Sequence, residues 1–213
     1  MKWDARSWIF WWDRCTGLEV MRIAGFTRIS TQIRPGAELA VVHLDDGDVD
    51  SMAKDELREV ILSIRDSISG IAVDSFGSDP LSYPNLYMLL KDIAVKGVDV
   101  MLSTGGSDYM NLDDLVGAGY VDSINLILDA PITDSQLKCI QVMRDNGSRY
   151  MATITVAKGA FDSDSMSGTV RCMHDSRHVV IRSSRGPGAL DRKDMAELTK
   201  SLKGMVKDLR III

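Results

Sequence analysis

Between His43 and Asp50 the chain gathers one imidazole and four carboxylates: Asp45, Asp46, Asp48 and Asp50. Oxygen donors at this density suit a hard cation such as Mg²⁺ or Ca²⁺. The acids and Gly47 are phased differently from an EF-hand loop, so the competing reading is a solvated turn that caps the next helix. His43 and Asp45 are two apart, and in a strand they share a face. That permits an acid–base pair; a hydrogen-bonded histidine at a strand end is the plainer alternative. His174 and His178 are four apart, the spacing of two ligands on one helix, but no H-E-x-x-H arrangement accompanies them and no zinc site is expected. Cys15, Cys139 and Cys172 contain no C-x-x-C pair. Their spacing suggests no disulfide framework and a reducing, cytoplasmic setting.

Three glycine-bearing stretches follow apolar runs: Phe76-Gly77-Ser78-Asp79-Pro80-Leu81, Ser103-Thr104-Gly105-Gly106 and Ser183-Ser184-Arg185-Gly186-Pro187-Gly188. Backbone N–H groups in such loops can hold phosphate or carboxylate. The second and third match neither the P-loop nor the dinucleotide fingerprint, so turn chemistry is the alternative. No nucleophile elbow or catalytic triad is present, and no catalytic residue is assigned.

The elements that position these groups alternate between two periods. Strands are expected at Leu39–Leu44, Ile71–Phe76, Val98–Leu102, Val121–Leu128, Tyr150–Val156 and Val179–Ile181, with a short terminal one at Ile211–Ile213. Helical stripes run through Leu57, Val60, Ile61, Ile64 and Ile68, through Leu86, Leu89, Leu90 and Ile93, and around Leu112–Val116. Further stripes run through Leu137, Ile140 and Met143, and through Met195, Leu198, Leu202, Met205 and Leu209. Repeated strand–helix units imply parallel strands with right-handed crossovers. About six such units suit an open or partial barrel better than an eightfold one. Either way, the site belongs at the C-terminal ends of the strands.

The chain has 213 residues, 45% hydrophobic and 26% charged, with a net charge of −5. This composition describes a globular α/β domain and a poor nucleic-acid binder. No apolar run is long enough to span a membrane. All four tryptophans, Trp3, Trp8, Trp11 and Trp12, lie with Phe10 in residues 1–20. This extension, which precedes a single domain over 21–213, reads as a cap on the domain or a homo-oligomer contact. Its flanks lack the basic excess of a membrane foot.

Four stretches, in order, resemble the radical S-adenosylmethionine enzymes, and within them the activating enzymes of anaerobic ribonucleotide reductase and pyruvate formate-lyase. Ile23–Leu44 (IAGFTRISTQIRPGAELAVVHL) is similar to the segment that leads those enzymes into C-x-x-x-C-x-x-C. Here the strand runs instead into Asp45-Asp46-Gly47-Asp48-Val49-Asp50. FGSDPL resembles the Gly-Gly-Glu-Pro turn, with Ser78 at the second glycine and Asp79 at the glutamate. Ser103–Gly106 is similar to the Thr-Asn-Gly stretch. Val121–Pro131 (VDSINLILDAP) resembles a strand carrying an Asp-x-Lys pair, whose positions here are Ile127 and Asp129.

The resemblance implies a partial (β/α)6 TIM-like barrel with S-adenosylmethionine held at Gly77, Ser78, Asp79, Pro80, Thr104 and Gly105. It also implies a protein partner, an activating enzyme or a glycyl-radical-type protein. A [4Fe–4S] cluster needs thiolates, and carboxylates are poor substitutes for them. The expectation is therefore a homologue that makes no adenosyl radical and acts by binding or regulation. The alternative is an enzyme repurposed for non-radical chemistry around His43, Asp45, Asp46 and Asp79.

Overall fold

Alternation of apolar and polar residues builds the strands, and apolar stripes three and four apart build the helices that cover them. The computed structural model describes residues 22–30, 38–45, 54–94, 98–159, 163–176 and 178–212. The tryptophan-rich extension, Cys15, the Pro35-Gly36 turn, Gly97 and the acids Asp46, Asp48 and Asp50 lie outside the described residues, as does the side chain of Asp45. The chain forms two compact units, Met1–Ser103 with Ala118–Asp122, and Thr104–Gly117 with Ser123–Ile213.

In the first unit, β1 (Arg22–Ser30) runs antiparallel to β2 (Glu38–Asp45), with Arg22 opposite Asp45 and Ser30 opposite Glu38. Parallel pairing then links β2 to β3 (Gly70–Ser75), and β3 to β4 (Asp99–Thr104). The crossovers are α1 (Lys54–Ile64) and α2 (Leu86–Ile93). Ala40, Val42 and Leu44 on β2, with Ile71 and Val73 on β3, are fully buried; so are Leu57 and Ile61 of α1 and Leu86, Leu89, Leu90 and Ile93 of α2. Each such Leu, Ile or Val contributes about 1.5–3 kcal/mol by leaving water.

In the second unit, β5 (Ser123–Asp129), β6 (Arg149–Val156), β7 (His178–Ser183) and β8 (Leu209–Ile212) pair in sequence, all parallel. The helices are α3 (Tyr109–Gly117), α4 (Asp134–Asp145), α5 (Ser163–Cys172) and α6 (Arg192–Leu202). Ile124, Leu126 and Leu128 of β5 are buried, while Ile127 and Asp129, on its other face, are exposed. Six strand–helix pairs, from β2–α1 to β7–α6, are followed by β8, so the α/β class expected from the sequence holds.

Four details differ from the sequence reading. β1 was not expected: its polar and glycine residues give no clean alternation. α5 was not expected either, because SDSMSGTVRC offers only a few apolar anchors, of which Met166 and Val170 are buried. The last helix ends at Leu202; Gly204, at φ 81°, breaks the stripe, and Leu209 opens β8 instead. The second apolar strand ends at Ser75, leaving Phe76 beyond it.

Candidate functional site at the strand ends

Register fixes the first cluster. Parallel pairing sets His43 of β2 opposite Asp74 of β3, and His43 Nδ1 lies 2.5 Å from Asp74 Oδ1. The imidazole is 15% exposed and the carboxylate 35%. A bond to Nδ1 fixes the ring's orientation and makes Nε2 the basic nitrogen when the ring is neutral. Phe76 stacks on this ring at 4.4 Å and 17°, and is itself 69% exposed. Its backbone N–H donates to the Leu44 carbonyl, so the chain beyond β3 still follows the end of β2. Gly25 of β1 faces His43, next to a β-bulge at Ala24. Bulges recur beside active sites.

Among the described residues, Asp74 is a partner of His43. The sequence reading, which considered only residues near His43 in the chain, did not single it out. The signal was available: aligning the ends of LAVVHLDD and GIAVDSFG sets the histidine against the lone acid of the next strand.

The turn after β3 carries several bonds among its own residues. Asp79 Oδ1 accepts from the Leu81 N–H at 2.9 Å and caps a 3₁₀ turn, Pro80–Ser82. Ser82 donates both its N–H and its hydroxyl to the Asp79 carbonyl, at 2.8 and 2.7 Å. Gly77 N–H donates to Ser75 Oγ, which also bonds the Tyr83 hydroxyl at 3.1 Å. Gly77 and Ser78 are exposed, Asp79 is half-buried and Pro80 is buried.

Thr104 and Gly105 end and follow β4, and in the second unit their turn is held from α4. Thr104, almost fully buried, accepts from Gly106 N–H at 3.0 Å. Gln136 donates Nε2–H to the Gly105 carbonyl at 2.8 Å, while its Oε1 accepts the Thr133 N–H in a capping box. The Gly106 carbonyl accepts from Ser135 Oγ at 2.9 Å and from the Cys139 thiol at 3.6 Å. The six site residues expected from the sequence thus fall into two groups, Gly77–Pro80 and Thr104–Gly105, each at a strand's C-terminal end.

The third glycine-bearing stretch is also internally bonded. The Gly188 carbonyl accepts from Lys158 N–H and from the Ser184 hydroxyl. Asp191, which caps α6, is held below the usual carboxylate range by the N–H of Asp194, followed by Lys158 at 3.2 Å. On the exposed face of β5–β7, Asp129, Thr155 and Arg182 share one register row. Arg182 Nε donates to Thr155 Oγ1 at 2.9 Å. His174 and His178 do not share a helix: α5 ends at Cys172, and His178, in β7, bonds Asp208 at 2.7 Å.

These donors can be tested against the groups the resemblance implies. Cys139 is buried on α4 against Gly106, and Cys172 lies exposed at the end of α5. The stretch after β2 contains no thiol, and a [4Fe–4S] cluster takes thiolate ligands. Among the described residues, no three His, Cys, Asp or Glu side chains gather to hold a metal ion. At Asp79 the carboxylate caps the 3₁₀ turn through Oδ1.

No protein-family model and no curated protein matches the chain. Solved structures do. SuiB of Streptococcus suis bound to its precursor peptide SuiA aligns with a TM-score of 0.60 at 11% identity, over 78% of this chain and 43% of SuiB. SuiB bound to S-adenosylmethionine gives 0.59 at 12% identity, over 78% and 45%. A radical SAM methyltransferase from Sphaerobacter thermophilus gives 0.58 at 13% identity, over 88% and 69%. The chain spans less than half of SuiB. Its fold is the α/β, TIM-barrel-like fold of radical SAM enzymes. Among the described residues no helix is long and apolar enough to cross a membrane.

Proposed function

We propose that this chain is a radical SAM-like protein that works without the cluster, as a binding or regulatory homologue of the activating enzymes. One observation carries the reading. The strand that resembles the family's approach to its cysteines ends in His43, Leu44 and Asp45, with the imidazole bonded to Asp74. The ligand this reading assigns is S-adenosylmethionine, with Asp79 taking its amino group; Thr104 and Gly105 are the further residues that the resemblance assigns to it. SuiB, of the same fold, has been crystallised with that molecule. The partner proposed is an activating enzyme or a glycyl-radical-type protein, in the cytoplasm.

Calorimetric titration with S-adenosylmethionine tests the ligand. Saturable binding that weakens in Asp79→Ala supports the reading; absence of binding means that only the scaffold is kept. Stoichiometric 5′-deoxyadenosine from reconstituted, reduced protein overturns the cluster-free assignment.

The His43–Asp74 pair favours a second reading, an enzyme doing non-radical acid–base chemistry. An imidazole oriented by a carboxylate beside an exposed aromatic ring is suited to moving a proton at Nε2. Under that reading His43→Gln abolishes turnover while leaving ligand affinity intact. If His43→Gln retains turnover, this reading fails.

A further inference from the structure

Parallel sheets are normally buried on both faces, because crossover elements cover them. In the second unit, one face of β5–β7 departs from that rule. Ile124, Leu126 and Leu128 of β5 and Ile154 of β6 are buried on one side. On the other side, the register row at the C-terminal ends sets Asp129 of β5 beside Thr155 of β6, and Thr155 beside Arg182 of β7. Asp129 and Arg182 are exposed and Thr155 is half-buried. Two strand spacings, about 10 Å of sheet, separate the acid from the base. Arg182 Nε donates to Thr155 Oγ1 at 2.9 Å, which turns the guanidinium along the row toward β5. Among the described residues nothing accepts from Nη1 or Nη2, and no ion pair joins Arg182 to Asp129. With Nε occupied, those two nitrogens form the fork that holds a carboxylate through parallel bonds. An ionised Asp129 only accepts, and so receives an ammonium. Two bonds of about 2.9 Å, with the N–Cα–C link of an α-amino acid between them, fill the interval between the charges. The next row toward the strand N-termini is Ile127, Thr153 and Val180. Ile127 is 39% exposed, an open aliphatic floor about 7 Å from the charged row.

We propose that this face of the second unit binds a free α-amino acid with an aliphatic side chain. Arg182 holds its carboxylate, Asp129 holds its ammonium, and Ile127 and Val180 pack against its side chain. The C-terminal ends of parallel strands are where α/β sheets place ligands. A zwitterion satisfies both charges at once, which a simple anion or either end of a peptide does not. The inference goes beyond the S-adenosylmethionine reading, which uses Asp79, Thr104 and Gly105.

Titration of the full chain with L-leucine, followed in ¹H–¹⁵N spectra, tests it. Saturable shifts at Thr155 and at Arg182 Nε are expected. Affinity should fall about tenfold or more in Arg182→Gln and in Asp129→Asn. Thermal melts should stay unchanged, because both positions are exposed. Arg171→Gln, at an exposed position on α5, should not alter binding. N-acetyl-L-leucine and L-leucinamide each lack one charge and should bind as weakly to the unaltered chain as L-leucine does to the variants. Absence of a saturable shift with L-leucine overturns the inference. So does N-acetyl-L-leucine binding as well as L-leucine, which makes the occupant a plain carboxylate such as a peptide C-terminus. Equal binding of L-leucinamide overturns it in favour of a peptide N-terminus. Asp79→Ala should leave L-leucine affinity intact, so failure to bind S-adenosylmethionine leaves the inference standing.

Discussion

The two turns that carry the expected ligand residues are built by opposite means. Gly77–Ser82 is closed by bonds that span two or three residues: Asp79 caps Leu81, Ser75 holds Gly77, and Ser82 returns to Asp79. Thr104–Ser107 has a local bond from Gly106 N–H to Thr104 Oγ1 and is also held from about thirty residues away, by Ser135, Gln136 and Cys139 in the first turns of α4. A locally closed turn keeps its shape whatever its surroundings do, whereas a turn tied to a helix inherits that helix's position. Changes in α4 should therefore reach the Thr104–Ser107 turn.

The contrast can be broken most forcefully at Gly106. It has φ of +76°, and a Cβ there would lie 3.3 Å from Gln136 Cγ and 3.4 Å from Cys139 Sγ. Gly106→Ala should cost about 2–3 kcal/mol, combining left-handed strain with crowding, read as a lower denaturant midpoint. Gly119→Ala, at φ +71° with nothing within 4 Å of the added carbon, should cost only the strain, about 1–2 kcal/mol. If the two cost the same, the packing from α4 is not what holds the turn.

Gln136→Ala removes one partner of a capping box and the donor to the Gly105 carbonyl. A loss of about 1–2 kcal/mol is expected. Any weakening of ligand binding by this change should be matched by Thr133→Ala, which reaches the same turn only through the helix. Asp79→Ala, by contrast, should cost about 1 kcal/mol or less in stability, the worth of a cap. Asp79→Asn should restore the cap without restoring affinity for an ammonium group.

The second unit also carries a pH signature. Burial, reinforced by the Asp175 carboxylate 3.4 Å from its hydroxyl, holds the Tyr150 phenol well above its ordinary value. The folded chain then keeps a proton that the unfolded chain releases above about pH 10. Stability is fully present below that pH and falls as pH climbs through the alkaline range. Tyr150→Phe should flatten this decline in alkaline denaturation curves. The smallest effect is expected at Phe76: Phe76→Ser should shift stability by no more than about 0.5 kcal/mol, as for surface positions generally.

What the sequence showed depended on the range of the interaction. The apolar runs LAVVHL and IAVDSF predict β2 and β3 because burial writes its period into neighbouring residues. Asp79-Pro80 reads as a cap followed by proline for the same local reason. Gly106 was legible as a glycine in a turn, but its dependence on Gln136 and Cys139 was not, since nothing near it in the chain names them. His43 was read beside Asp45, its neighbour in sequence, whose side chain lies outside the described residues. The register between parallel strands gives it Asp74, thirty-one residues on. β1 and α5 escaped because their residues are polar or small, so packing elsewhere in the fold rather than their own pattern decides their form.

β1 has one more effect. By pairing with β2 it caps a strand whose open edge would otherwise offer a row of unpaired N–H and C=O groups to other chains. Among the described strands β1 is the edge of the sheet in turn, but it is bulged at Ala24, and its sequence carries Arg22 and Arg28. Bulges and edge charges both discourage strand-to-strand association. The same short segment therefore guards the protein against growing into a fibril, and deleting it should be felt first as loss of solubility.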